Sequence, residues 1–270
     1  MEEQKAVSEV EGKEVAEVSD EEIATLMAEG KKHQDAENAG DGVKADYILL
    51  AKTATKALNP KQKELYIEGL KIGNFFLQKE KKILGDKLRV VPLAFITLYQ
   101  EKDGDGKDAK FCGIWNKEQA ESFPLAEDSY YDHVIPENGH ILSPVNWVMV
   151  EVLGHPEIER GVIAYKSTGS RIWRQWKDDV KPRSDVSATL IYEVAEEDVS
   201  NDKNEWTDIG FKWVGSLLDD KADRAMLAKC LKKSNAIRES YEKHTLVANR
   251  TVTAVKATAQ IQDASDVEDS

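Results

Sequence analysis

Leu88-Arg-Val-Val-Pro-Leu-Ala-Phe-Ile-Thr-Leu-Tyr99 (LRVVPLAFITLY) decides how the rest of the chain is read. Its β-branched and aromatic content makes it the strongest strand of the protein. Pro92 has no N–H to give to a ladder, which predicts an edge or a bend. Downstream, Asp103-Gly-Asp-Gly106 returns the chain into Phe111 to Trp115 and predicts a long hairpin. Upstream, Leu84-Gly-Asp86 reads as a turn. Before it lies a strand over Leu70 to Phe76 (LKIGNFF), in which Gly73 marks a bulge or a close backbone approach. A first strand over Tyr47 to Ala51 ends before the break Leu58-Asn-Pro60.

The same reading continues to the C-terminus. Val145 to Leu153 (VNWVMVEVL), Gly161 to Lys166, Ser187 to Val194 and Trp206 to Leu218 predict four more strands, the last two joined by a turn at Asn201 to Asn204. Residues 116–143 read as a polar, irregular loop carrying Phe123, Tyr130 and Tyr131. Ser170 to Val180 is the best short helix. Asp219 to about His244 is a second helix, with Met226, Leu227, Leu231 and Ile237 at helical spacing. Short turns between strands, one inserted helix and one terminal helix imply a closed or half-closed antiparallel barrel.

Charge divides the chain by position. Residues 1–42 carry 13 acidic and 4 basic side chains, and residues 263–270 carry four acids and no base. The ends thus hold the whole formal charge of −13 and leave a neutral body. The head has no aromatic residue and too little apolar area to offset its ordering entropy, so it is expected to be frayed or disordered. One short helix, capped at Ser19-Asp-Glu-Glu22 and running through Ile23, Leu26 and Met27, could form within it. Inside the neutral body, Arg160 to Arg183 holds seven bases, two acids, two tryptophans and a tyrosine. Acidic arms around one basic, aromatic stretch point to nucleic acid as the partner.

Several classes are disfavoured. No run of 18 apolar residues indicates a membrane span, and the N-terminus lacks the pattern of a secretory signal. Cys112 and Cys230 stand far apart with no C-x-x-C pattern, which suits a reduced, cytoplasmic setting. The five histidines show no metal-ligand spacing, and Asp103 to Asp108 lacks the acids of a calcium loop. No nucleophile, acid–base or cofactor motif is legible, so a non-enzymatic protein without metal or cofactor is expected.

At 100° per residue, Ile172, Trp173, Trp176 and Val180 share one side of the inserted helix, while Arg174, Lys177 and Lys181 align on another. Trp176 reads as core. The basic row is either a solvated face or a track for phosphates, each contact releasing counterions. Lys166-Ser-Thr-Gly-Ser-Arg171 is either a plain turn with a serine cap or an anion site at a helix N-terminus. Stacking platforms for bases are sought among Phe75, Tyr99, Trp115, Trp147, Tyr165, Trp173 and Trp213, with Tyr165 and Trp173 first because they lie within the basic stretch. The candidate nucleic-acid-binding set is therefore Tyr165, Lys166, Arg171, Trp173, Arg174, Lys177, Lys181 and Arg183.

YILLAK (Tyr47 to Lys52) before the Leu58-Asn-Pro60 break, GLKIGNFF (Gly69 to Phe76), LGDKLRVVPLAF (Leu84 to Phe95) and GVIAYKSTGSRIWRQW (Gly161 to Trp176) resemble a group of tailed-phage proteins encoded among replication genes. The resemblance implies a single-stranded-DNA-binding protein of a replication or recombination module, acting without sequence preference in the host cytoplasm. It also implies a mainly β (α+β) fold: an OB-like antiparallel barrel over 43–250, with one inserted helix, a C-terminal helix and disordered acidic ends. Replication proteins are implied partners of the acidic tail (251–270), although that tail finishes Val267-Glu-Asp-Ser270 rather than on the hydrophobic residue such tails carry. The alternative is a virion structural or adaptor protein working through protein contacts.

Overall fold

The computed structural model describes residues 18–32, 46–104, 109–166, 169–200, 205–219 and 223–242. Its elements run α1 (Asp20–Lys32), β1 (Asp46–Leu50), β2 (Phe75–Leu77), β3 (Lys82–Gly85), β4 (Lys87–Asp103), β5 (Lys110–Asn116), α2 (Lys117–Glu121), β6 (His133–Val134), β7 (Ile141–Val152), β8 (Gly161–Lys166), α3 (Ser170–Val180), β9 (Leu190–Ser200), β10 (Glu205–Ser216) and α4 (Arg224–Glu242). The fold is mainly β.

LRVVPLAFITLY forms the middle of β4. This strand is not an edge: the sheet order is β10-β9-β4-β7-β8-β1-β2-β3, with β5 added to β4 and β6 to β7. The bend predicted from Pro92 is present as a register shift between Pro92 and Ala94 against β7, which absorbs the missing donor. On its other edge β4 pairs first with β9 (Lys87↔Ala195) and then with β5 (Leu98↔Asn116). The sheet is antiparallel with one exception, the parallel pair of β1 and β8 (Tyr47↔Val162).

Local departures from the sequence reading have local causes. Leu70 to Asn74 is a turn and β2 starts only at Phe75. Gly73 has φ +83°, a left-handed turn conformation that favours glycine, and what comes near it is the Glu196 carboxylate rather than another backbone. The chain before Asp86 is a strand, β3, rather than a bare turn. The loop 116–143 contains α2, capped by Asn116 Oδ1 accepting from Gln119 N at 2.6 Å, and the short β6.

Alternation along the strands sends side chains to two cores. One core draws residues from every strand of the curl: Ile48, Phe75, Leu84, Val90, Val148, Ile163, Tyr192 and Ile209 meet Ile172, Trp173, Trp176 and Val180 of α3. The strands therefore wrap into a half-barrel with α3 as its plug. Trp176 is the centre of that plug, stacked on Phe211 at 5.3 Å and edge-on to Tyr192 and Phe95. It is core, as its spacing predicts.

On the outer face, Leu93, Ile96, Trp147 and Met149 pack against Leu227, Leu231 and Ile237 of α4 and Ile23 of α1. The head is thus not wholly a frayed arm. Ser19 Oγ caps α1 by accepting from Glu22 N. The helix then docks on α4 through Arg224–Asp20 and Lys232–Glu22 ion pairs and through Asn235 Nδ2 donating to Leu26 O. Apolar area supplied by α4 offsets the ordering entropy that the head alone could not. The rest of both acidic arms lies outside the described residues.

Candidate nucleic-acid interface

The eight residues singled out by sequence separate into three groups. Tyr165 and Trp173 are buried and cannot stack bases. Tyr165 is 1% exposed and donates its hydroxyl to Ile209 O at 3.0 Å. Burial raises its pKa well above the ordinary tyrosine value, with Asp208 and Glu197 adding to the shift. Trp173 Nε1 donates to Trp147 O at 3.0 Å inside the barrel. Their position in a basic stretch said nothing about which face they occupy. Phe75, Tyr99 and Trp147 are buried as well.

The second group is basic but already engaged. Lys181 pairs with Asp178 at 3.0 Å. Arg183 Nε and Nη2 both donate to Asp179, raising the guanidinium pKa and lowering that of the carboxyl, and the same guanidinium lies 4.6 Å over the exposed Trp213 ring. Lys177 lies 5.3 Å over the ring of Trp173. Asp178 and Asp179 of α3 thus neutralise Lys181 and Arg183 as i,i+3 and i,i+4 partners.

The anion-site alternative at the start of α3 is likewise met internally. A Cβ on Gly169 would lie 2.8 Å from Asp208 Oδ2, so the chain's own carboxylate stands at this helix N-terminus. Ser170 Oγ accepts from Asn146 Nδ2, and Asn146 Oδ1 accepts from Thr97 Oγ1. Ser167 and Thr168 lie outside the described residues.

Lys166 forms the third group with the exposed Arg171 and Arg174. It ends β8 on the outer face, and register brings it to a neighbour that sequence did not suggest. Val145 pairs with Lys166 across β7·β8, while Gln100 pairs with Ser143 and Lys102 with Ile141 across β4·β7. Lys166 Nζ donates to Gln100 Oε1 at 2.7 Å and Lys102 Nζ reaches Ser143 Oγ at 3.5 Å. Among the described residues neither lysine is paired with a carboxylate. Loss of water around Lys166, and then the charge of Lys102, lower its pKa from the ordinary lysine value.

Aromatic surface lies on the same face. Tyr47, level with Val162 in β8, is 39% exposed and packs edge-on to Trp147 at 5.5 Å, with exposed Leu49 farther along β1. Partial burial pushes the Tyr47 hydroxyl pKa up to about 12. The outer face therefore offers two ammonium groups with amide and hydroxyl partners at its open end and, four residues back along β8 from Lys166, an accessible ring. Among the described residues no helix is long and apolar enough to cross a membrane.

No curated protein and no solved structure matches this chain. A family description does match, over residues 11–240, which include the half-barrel, the plug helix and most of α4. The chain belongs to the Pam3 phage gp34-like protein family, a family of phage proteins.

Proposed function

We propose that this phage protein binds single-stranded DNA without sequence preference, as a non-enzymatic partner of phage replication or recombination. The observation that carries the reading is the pair Lys102 and Lys166 on the open end of the outer face, supplied with neutral partners and no described acid. Two like charges held together are electrostatically costly, and a phosphate between them relieves that cost. Arg171 and Arg174, exposed on the helix that follows Lys166 in the chain, add further positive charge, and Tyr47 provides a ring for a base.

The connectivity supports the same reading. β4, β7, β8, β9 and β10 form a five-stranded curl with α3 inserted between its third and fourth strands, which is compatible with an OB barrel. Such barrels bind oligonucleotides on the face of their second and third strands, here β7 and β8, where Lys166 lies. The curl departs from closure because β8 takes β1 as a parallel neighbour. In this proposal the acidic tail, 263–270, competes with DNA for the lysines or engages replication proteins.

Fluorescence anisotropy with a labelled oligothymidine of about 30 nucleotides, longer than one OB site, tests this against its duplex across a salt series. Binding to the single strand that weakens linearly in log salt is expected. Flat anisotropy at low salt would rule the reading out.

A second reading, a protein of the phage particle acting through protein contacts, is favoured by Tyr130 and Tyr131. They are 89% and 71% exposed, beside exposed Leu125, in the segment between α2 and β7. Detecting the chain in purified particles, together with flat anisotropy, would select it.

A further inference from the structure

The β4–β5 hairpin brings together three side chains that lie far apart in sequence. A carboxylate oxygen of Glu101, Cys112 Sγ and a ring nitrogen of His140 lie within 4.8 Å of one another. Backbone register explains the meeting. Glu101 pairs with Gly113 and Lys102 with Phe111, so Cys112 is the extra residue of a bulge. Glu101 also pairs with Leu142 across β7, which puts His140 just beyond the start of that strand.

The carboxylate is oriented on both oxygens. Trp115 Nε1 donates to Glu101 Oε2 at 2.8 Å, and His140 Nδ1 is 2.6 Å from Oε1. His140 Nε2 lies 3.7 Å from Asp103 Oδ1, a nearby fourth donor. The Glu101 and His140 side chains are largely sheltered, while Cys112 is only half-buried, so solvent reaches the cluster. An imidazole–carboxylate bond that merely pinned the hairpin would need no thiol. Here the thiol converges on the pair.

We propose that Glu101, Cys112 and His140 form a binding site for a borderline-soft divalent cation of the zinc class, with Asp103 or water as fourth ligand. One sulfur, one nitrogen and one oxygen suit zinc or cobalt, whereas magnesium and calcium take oxygen alone. Ligand atoms around tetrahedral zinc stand about 3.3–3.8 Å apart, which small side-chain shifts reach from the observed spacing. On binding, the Cys112 thiol loses its proton to solvent and the imidazole coordinates in its neutral form. The Trp115 indole keeps the Glu101 carboxylate aimed at the ion.

Cobalt titration of the tag-free full chain, reduced and cleared of metal by a chelator, tests the site. One Co²⁺ per chain is expected, with the visible bands of four-coordinate cobalt and a thiolate-to-cobalt charge-transfer band, both removed by Zn²⁺. Cys112→Ser should lose the charge-transfer band. Cys230→Ser should keep it, because Cys230 is buried on the sheet-facing side of α4, away from the site. Trp115→Phe should weaken affinity about 10–100-fold with far-ultraviolet dichroism unchanged. If Cys112→Ser does not fold, alkylation of wild-type Cys112 with and without Zn²⁺ decides, protection being expected. Absence of saturable cobalt binding, a band that survives in Cys112→Ser, or unprotected Cys112 would overturn the site.

Discussion

At one end of the outer sheet face, Lys229 and Lys233 reach down from α4 to the two oxygens of Glu151, a carboxylate only 1% exposed. At the other end, Lys102 and Lys166 stand together with a hydroxyl and an amide as their partners. Both pairs lie on the outer face of the sheet, the first carried by α4 over Glu151 of β7, the second by β4 and β8. At the first, a buried acid binds a helix to the sheet and the charges are consumed in holding the fold. At the second, the fold supplies no acid among the described residues. Lysine content alone is therefore a poor guide to an anionic partner, and the sign of what the fold places opposite it is the better one.

The strongest way to break this contrast is to strip the satisfied pair. Lys229→Met with Lys233→Met leaves Glu151 charged and buried, and should lower stability by about 3–5 kcal/mol in urea unfolding. Glu151→Gln should cost less, because both lysines can swing into water. If the double lysine variant were as stable as wild type, the satisfied pair would not be structural.

The open pair predicts the reverse pattern. Lys102→Ala with Lys166→Ala should leave stability within about 0.5 kcal/mol, as surface changes generally do. The same variant should flatten the log–log salt dependence of single-strand binding by about 1.4, from two phosphate contacts at about 0.7 each. An unchanged slope with intact binding would move the interface elsewhere. A smaller effect separates α3 from this end: Arg171→Ala with Arg174→Ala should reduce the slope, whereas Lys181→Ala should leave it alone because Asp178 already holds that charge.

The subtlest test is by pH. Lys166 has its pKa lowered in the folded protein, so its proton is lost more readily there than in the unfolded chain. Stability should therefore rise as pH climbs from the folded toward the unfolded value, since the unfolded state binds more protons in that window. A phosphate beside Lys166 restores the pKa, so DNA binding in that window should take up a proton. Calorimetry in buffers of different ionisation enthalpy would detect it, and the uptake should vanish in Lys166→Ala.

Much of this was legible in the sequence, residue by residue. The bounds of α3 follow from its amphipathic spacing, and β4 from its composition, because both are local properties. The faces of Tyr165 and Trp173 were not legible: period two separates two sides of a strand without naming the covered one, and here the plug helix makes one side an interior. Nor was the meeting of Lys102 with Lys166, or of Glu101, Cys112 and His140. Those depend on strand register and on one bulge, which no spacing along the chain encodes. Helix α1 was half legible: its cap is written in Ser19 to Glu22, but the surface that stabilises it comes from the far end of the chain.

That last pairing sets a timetable for synthesis. Glu22 meets Lys232 across 210 residues of sequence, and β4 cannot acquire β9 until residue 195 has been made. At about 5–20 residues per second, α1 waits roughly 10–40 s on the ribosome before its partner emerges. Throughout that interval its apolar stripe, Ile23, Leu26 and Met27, has no native surface to cover it.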